Sequence, residues 1–162
     1  MAIREILKRR APLINLMRSR RAKIIGKQIF IAHSSRDKYI IKLIEDNLEN
    51  IGVRPFLAGR FMAGKPAIFK IIDGIWDSIA FFILWTKNVT DNPETRDWVS
   101  FEIGIAKALA DVGLLSIYGW YANDTKLTDL LKGITDMVQF NPYDKSECEW
   151  VVKTMIKIAQ TL

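Results

Sequence analysis

Five short apolar runs, each followed by a segment of helical period, limit what this chain can fold into. The runs are Gln28–Ala32, Val53–Leu57, Ile79–Trp85, Leu114–Tyr118 and Thr135–Phe140. Between them, Tyr39, Ile40, Leu43, Ile44, Leu48 and Ile51 recur at helix spacing, and Gly52 stands where a helix C-terminus expects it. Ile68, Ile71, Ile72 and Ile75 do the same over Ala67–Ser78, as do Trp98, Phe101, Ile105 and Leu109 over Asp97–Leu109. A short helix near Leu127–Leu131 and a longer one from Lys145 to Ala159 complete the series. Strand and helix alternating at this spacing predict a parallel sheet, and right-handed crossovers place helices on both of its faces. The expected fold is α/β, a flavodoxin-like, doubly wound, five-stranded parallel sheet. Ile79–Trp85, uniformly apolar, is expected at its centre, and Val53–Leu57, interrupted by Pro55, at an edge or with a bent end.

The 162 residues and 49% hydrophobic content suit one folded domain rather than a disordered chain. The net charge of +6 is unevenly spread: residues 1–27 hold nine basic residues against Glu5 alone, leaving 15 basic and 17 acidic residues beyond them. The division is therefore a basic amphipathic helical arm over residues 1–26, with a break expected near Pro12, and a domain over residues 27–162. The body is not a basic nucleic-acid binder. The arm has the character of helices that contact anionic membranes or nucleic acids, and equally of one that packs on its own domain or self-associates. It lacks an apolar core segment for secretion, and only faintly resembles an organellar transit peptide. The uncharged runs near Ser78–Thr86 and Val112–Asn123 are too short to span a bilayer. Cytoplasmic location is the expectation, and one cysteine (Cys148) and one histidine (His33) leave neither a disulfide framework nor a His-rich metal site.

In doubly wound sheets ligands bind beyond the carboxyl ends of the strands. The segments expected there are His33–Asp37, Ala58–Pro66 and Thr86–Arg96, the last leading into Trp98 and Glu102. Glu102 is a carboxylate on an otherwise apolar helix, one turn after an indole. A salt bridge or a snorkelling surface glutamate explains it as readily as a site does.

Most chemistries lack their parts. Gly59-Arg60-Phe61-Met62-Ala63-Gly64-Lys65 nearly matches the phosphate-cradling pattern, but Pro66 replaces the magnesium-binding hydroxyl. His33 adjoins Ser34 and Ser35 without a nucleophile elbow, and Cys148 falls in the last helix, away from the loops. No dinucleotide fingerprint and no metal-ligand cluster is present. One reaction needs little more than a carboxylate. Nicotinamide leaves NAD as a neutral molecule without a general acid, and a carboxylate stabilises the oxocarbenium-like transition state. Trp98 would supply a stacking face, and Arg36, Arg60 or Lys65 would meet the pyrophosphate. His33, Ser34 and Ser35 would contact the ligand, or merely cap the helix beginning near Asp37.

Ile29–Asp37 (Ile-Phe-Ile-Ala-His-Ser-Ser-Arg-Asp) resembles the first box of Toll/interleukin-1 receptor (TIR) domains. Pro55–Ile68 resembles the loop after their second strand, and Asp77–Asn88 their third strand. Trp98-Val99-Ser100-Phe101-Glu102 is similar to the tryptophan–glutamate segment of the NAD-cleaving, prokaryotic-type members. The resemblance spans roughly Lys27–Asn141. It implies NAD hydrolysis or cyclisation with Glu102 as catalytic residue, NAD as substrate, no further cofactor and no metal. It also implies self-association or contact with other TIR domains, in defence or immune signalling. Equally, it admits a non-enzymatic adaptor docking through Phe61 and Met62. Ala58 and Gly59 depart from the family pattern, standing where an acidic residue often occurs. A nucleoside deoxyribosyltransferase-like N-glycosidase shares the topology and a glutamate at the scissile bond, and is the third reading.

Overall fold

The strands divide their side chains by the period of two that pleating imposes, and that division places a helical layer on each side of the sheet. The computed structural model describes residues 3–58 and 67–162. Its elements are α1 (Ile3–Ile25), β1 (Gln28–Ala32), α2 (Lys38–Asn50), β2 (Arg54–Leu57), α3 (Ala67–Trp76), β3 (Ala80–Trp85), α4 (Lys87–Thr90), α5 (Pro93–Ala110), β4 (Ser116–Ala122), α6 (Asp129–Lys132), β5 (Met137–Phe140) and α7 (Lys145–Thr161). The five strands form one parallel sheet in the order β2-β1-β3-β4-β5. This is the doubly wound arrangement expected, with apolar β3 at the centre and β2, carrying Pro55, at an edge.

Ile29, Ile31, Phe82, Leu84 and Trp120 point to one face, where α2 (Ile40, Ile44, Leu48) and α7 (Val151, Met155) cover them. Phe30, Ala32, Phe81, Ile83 and Trp85 point to the other, under α3 (Ile71, Ile75) and α5 (Val99, Ile103, Ala106). On that second face Phe56, Phe30 and Phe81 of three adjacent strands stack, with ring centroids 5.2 and 5.1 Å apart. Each such buried side chain contributes about 1.5–3 kcal/mol, so the two apolar layers supply the main drive for folding.

Turn chemistry closes α2 as its sequence predicts. Gly52 takes φ 75°. Its N–H donates to Glu49 and the Val53 N–H donates to Leu48, both at 3.0 Å. Buried Gln28 pins the amino end of the sheet, donating to Gly74 O at 3.0 Å and Ser78 Oγ at 3.2 Å while accepting from Arg54 at 3.1 Å.

Several boundaries differ from the sequence reading. α1 is one helix with Pro12 inside it rather than two pieces. Pro12 is exposed, so water can satisfy the carbonyl its ring leaves without a donor. The segment Thr86–Arg96 is not a plain loop: it holds α4 and the first turn of α5, because Asn92 accepts from Thr95 N as N-cap and Pro93 occupies the first helical position. β4 begins at Ser116 rather than Leu114, since Gly113 takes φ 76° and the Leu114 N–H closes back on Leu109 at 3.0 Å. Ile68 and Ile72, expected on the inner face of α3, are more than one-third exposed.

Candidate functional site

A cavity of about 290 Å³ opens at the carboxyl end of the sheet. β1 and its following turn contribute Ile31, His33 and Ser35, the end of β2 contributes Ala58, and α5 supplies Glu94, Thr95, Trp98, Val99 and Glu102. Glu102 occupies the helix stripe that buries Val99, Ile103 and Ala106 against the sheet, and is only 4% exposed. At this height the sheet gives way to the cavity, so the carboxyl faces a pocket rather than a packed neighbour. Burial raises its pKa from 4.5 to about 8. Among the described residues no cation or donor offsets the loss of water. In the free protein near neutral pH the group is therefore largely a neutral acid.

Trp98, one turn earlier on the same face, lines this cavity and also a shallower groove with Ile68, Glu94, Asp97 and Phe101. Its ring meets Phe101 edge-on, with centroids 6.0 Å apart. That contact holds the indole upright between the two depressions. His33 Nδ1 donates to the Ile31 carbonyl at 2.8 Å. The bond fixes both the ring orientation and the nitrogen that carries the proton.

The sequence-predicted site residues separate into three groups. Glu102, Trp98, His33 and Ser35 converge on the cavity. Ser34 and Arg36 do not line it. Ser34 is buried, its Oγ accepting from Arg36 N at 3.2 Å and its carbonyl from Asp37 N at 3.1 Å, so it shapes the turn. It is also not a helix cap. Arg36 lies instead at a separate depression of about 170 Å³ with Lys38, Lys87, Asn88 and Tyr143. Arg60, Phe61 and Lys65 lie outside the described residues, as does Met62. Asp37, passed over in the sequence except as a helix start, ties the site's two main loops together. Its carboxylate accepts from Thr86 Oγ1 and Asn88 Nδ2, both at 2.7 Å, and consequently provides no side-chain cap to α2.

Glu94 and Thr95 were also missed as lining residues. Glu94, Trp98 and Glu102 fall at i, i+4 and i+8, so the signal was present once the Asn92-Pro93 helix start is recognised. Among the described residues no group of His, Cys, Asp and Glu could hold a metal ion, and no helix is long and apolar enough to cross a membrane.

The sheet and its two helical layers have a solved counterpart. The fold is TIR-like. The crystal structure of the TIR domain of the Toll-related receptor TRR-2 from Hydra magnipapillata superposes with a TM-score of 0.54 over 82% of this chain and 94% of that one, at 14% identity. At that identity the likeness concerns the fold alone. No family model and no curated protein matches the sequence.

Proposed function

We propose that this TIR-like domain cleaves the nicotinamide–ribose bond of NAD, releasing ADP-ribose or a cyclic product, with Glu102 as the catalytic carboxylate. The observation that carries this reading is a nearly buried carboxyl, unpaired among the described residues, beside an indole at the ligand edge of a doubly wound sheet. The substrate suits that environment. The nicotinamide ring of NAD is cationic, so its entry favours the ionised form of Glu102. The resulting carboxylate then faces the oxocarbenium character that develops as neutral nicotinamide departs. Water or a substrate nucleophile completes the exchange at the anomeric carbon. Trp98 provides an aromatic wall, while His33 and Ser35 offer polar contacts to ribose hydroxyls.

A concentration series of purified protein with NAD, followed by nicotinamide release, tests this. Glu102→Gln is expected to lower kcat by about 10²–10³, the usual cost of losing one transition-state charge partner. The rate constant kcat/KM is expected to rise with pH toward 8, since the free carboxyl must ionise. Undiminished turnover in Glu102→Gln would remove the proposed role.

A second reading has its own observation. Ile68 of α3 and Phe101 of α5 line the shallower groove next to the cavity and are exposed, as are Phe69 and Ile72 elsewhere on α3. They make an apolar surface suited to a non-enzymatic TIR–TIR assembly module. Association that weakens in Phe69→Ser, with no nicotinamide released at any protein concentration, selects this reading over the first. Steep dependence of turnover on concentration instead joins the two, with assembly switching on the site. Such signalling would serve defence.

A further inference from the structure

α1 carries two apolar stripes among its described side chains, and the body of the protein covers one of them. Ala11 and Ile14, one turn apart, are partly buried against the core layer that contains α3 and α5. Ile6, Leu13 and Met17 fall at i, i+7 and i+11, a separate stripe about a third of the way around the helix. They are 40%, 60% and 63% exposed, and neighbouring Leu16 is 51% exposed. At about 3.6 residues per turn, Arg9 and Arg10 project on either side of this stripe, and both are exposed. One exposed apolar side chain alone means little, but three in one stripe between cations, with Leu16 beyond Arg9, form a patch with a chemical preference.

We infer that α1 is an anionic-membrane contact, laying the Ile6–Leu13–Met17 stripe into the acyl boundary of a bilayer while Arg9 and Arg10 meet acidic headgroups. Charge decides between the occupants. Residues 1–27 hold nine basic residues against one acidic, so the same stripe on a second copy would bring two strongly positive helices together. A nucleic-acid backbone would satisfy the cations and leave the stripe in water. An acidic lipid surface satisfies both features at once. The helix lies in the interface and does not cross the bilayer, in keeping with its many charges. Since Ala11 and Ile14 remain on the body, docking would hold the domain against the membrane rather than on a long tether.

The test is cosedimentation of the full chain with vesicles of phosphatidylcholine alone, and of phosphatidylcholine with about a third phosphatidylglycerol, at low and physiological salt. Binding is expected on the acidic vesicles at least about tenfold tighter than on neutral ones, and weakened by salt. Leu13→Ser/Met17→Ser keeps every charge and alters only exposed side chains, so far-ultraviolet circular dichroism should be unchanged. It should nevertheless bind acidic vesicles about tenfold more weakly. Equal binding to both vesicle types, no binding to either, or an unweakened double variant would overturn the inference. So would duplex DNA displacing the protein from acidic vesicles while binding the double variant as well as the parent, which would assign the arm to nucleic acid.

Discussion

Glu102→Gln is expected to stabilise the fold while slowing the proposed reaction, and the size of that stabilisation follows from burial. The carboxyl titrates near 4.5 when exposed in the unfolded chain and at about 8 in the folded one. Between those values the folded state keeps a proton that the unfolded state has lost, so raising the pH favours unfolding. The sign is opposite to that of a salt-bridged carboxylate, which strengthens the fold as pH rises. Each pKa unit is worth about 1.36 kcal/mol. The penalty therefore grows from about 1 kcal/mol at pH 5 to about 3 kcal/mol at pH 7 and about 4 kcal/mol at pH 8, and levels off near about 5 kcal/mol above that. Glutamine matches the neutral acid in shape and never ionises, so it escapes the whole penalty. Urea denaturation of parent and variant across pH 5 to 9 measures it: the two should nearly coincide in acid and diverge by about 3 kcal/mol at pH 7. Parallel stability profiles, with no gap opening as pH rises, would show that the carboxyl is not held in a water-poor site and would remove the physical basis for its proposed role. A variant less stable than the parent at pH 8 would do the same. A gap of that size would mark a stability–function conflict, because packing alone gives no reason for a glutamate that weakens its own fold.

Two further substitutions test the frame around the site. Buried Thr86 donates to Asp37 at 2.7 Å. Asp37→Ala strands that hydroxyl and should lose about 1–3 kcal/mol; a cycle with Thr86→Val should show coupling, and simple additivity would mean the contact carries no energy. At Gly74 a new Cβ would stand 2.5 Å from the Phe56 ring, itself stacked on Phe30. Gly74→Ala should therefore destabilise by about 1 kcal/mol, overpacking outweighing alanine's preference for a helix interior. Thermal unfolding decides it: a raised Tm would mean that Phe56 yields freely.

Much of the architecture was legible because each element's period is local. The uniform apolarity of Ala80–Trp85 could only be satisfied by burial on both faces, which fixed a central strand, and Pro55 could not donate into a second ladder, which argued for an edge or a bent end. Gly52 announced the end of α2 through the backbone conformation that suits it there. Trp98 and Glu102 were found together because four residues along a helix always share a face. The start of α5 was misplaced because its cap lies outside the apolar period, and Glu94 and Thr95 were lost with it.

What the sequence alone determined, then, was the order of strands and helices and the presence of an acid on an apolar helix. It could not determine whether that acid met solvent, a cation or a cavity, because all three place a glutamate at the same helical phase. Only the tertiary structure decided this, by opening a cavity between the ends of β1 and β2 and the first turns of α5 and leaving Glu102 nearly water-free at its wall. The same holds for His33 and Ser35 as against Ser34 and Arg36. Neighbours in a turn point in different directions, and which of them reaches the cavity depends on the helix packed across from them, not on the chain they share.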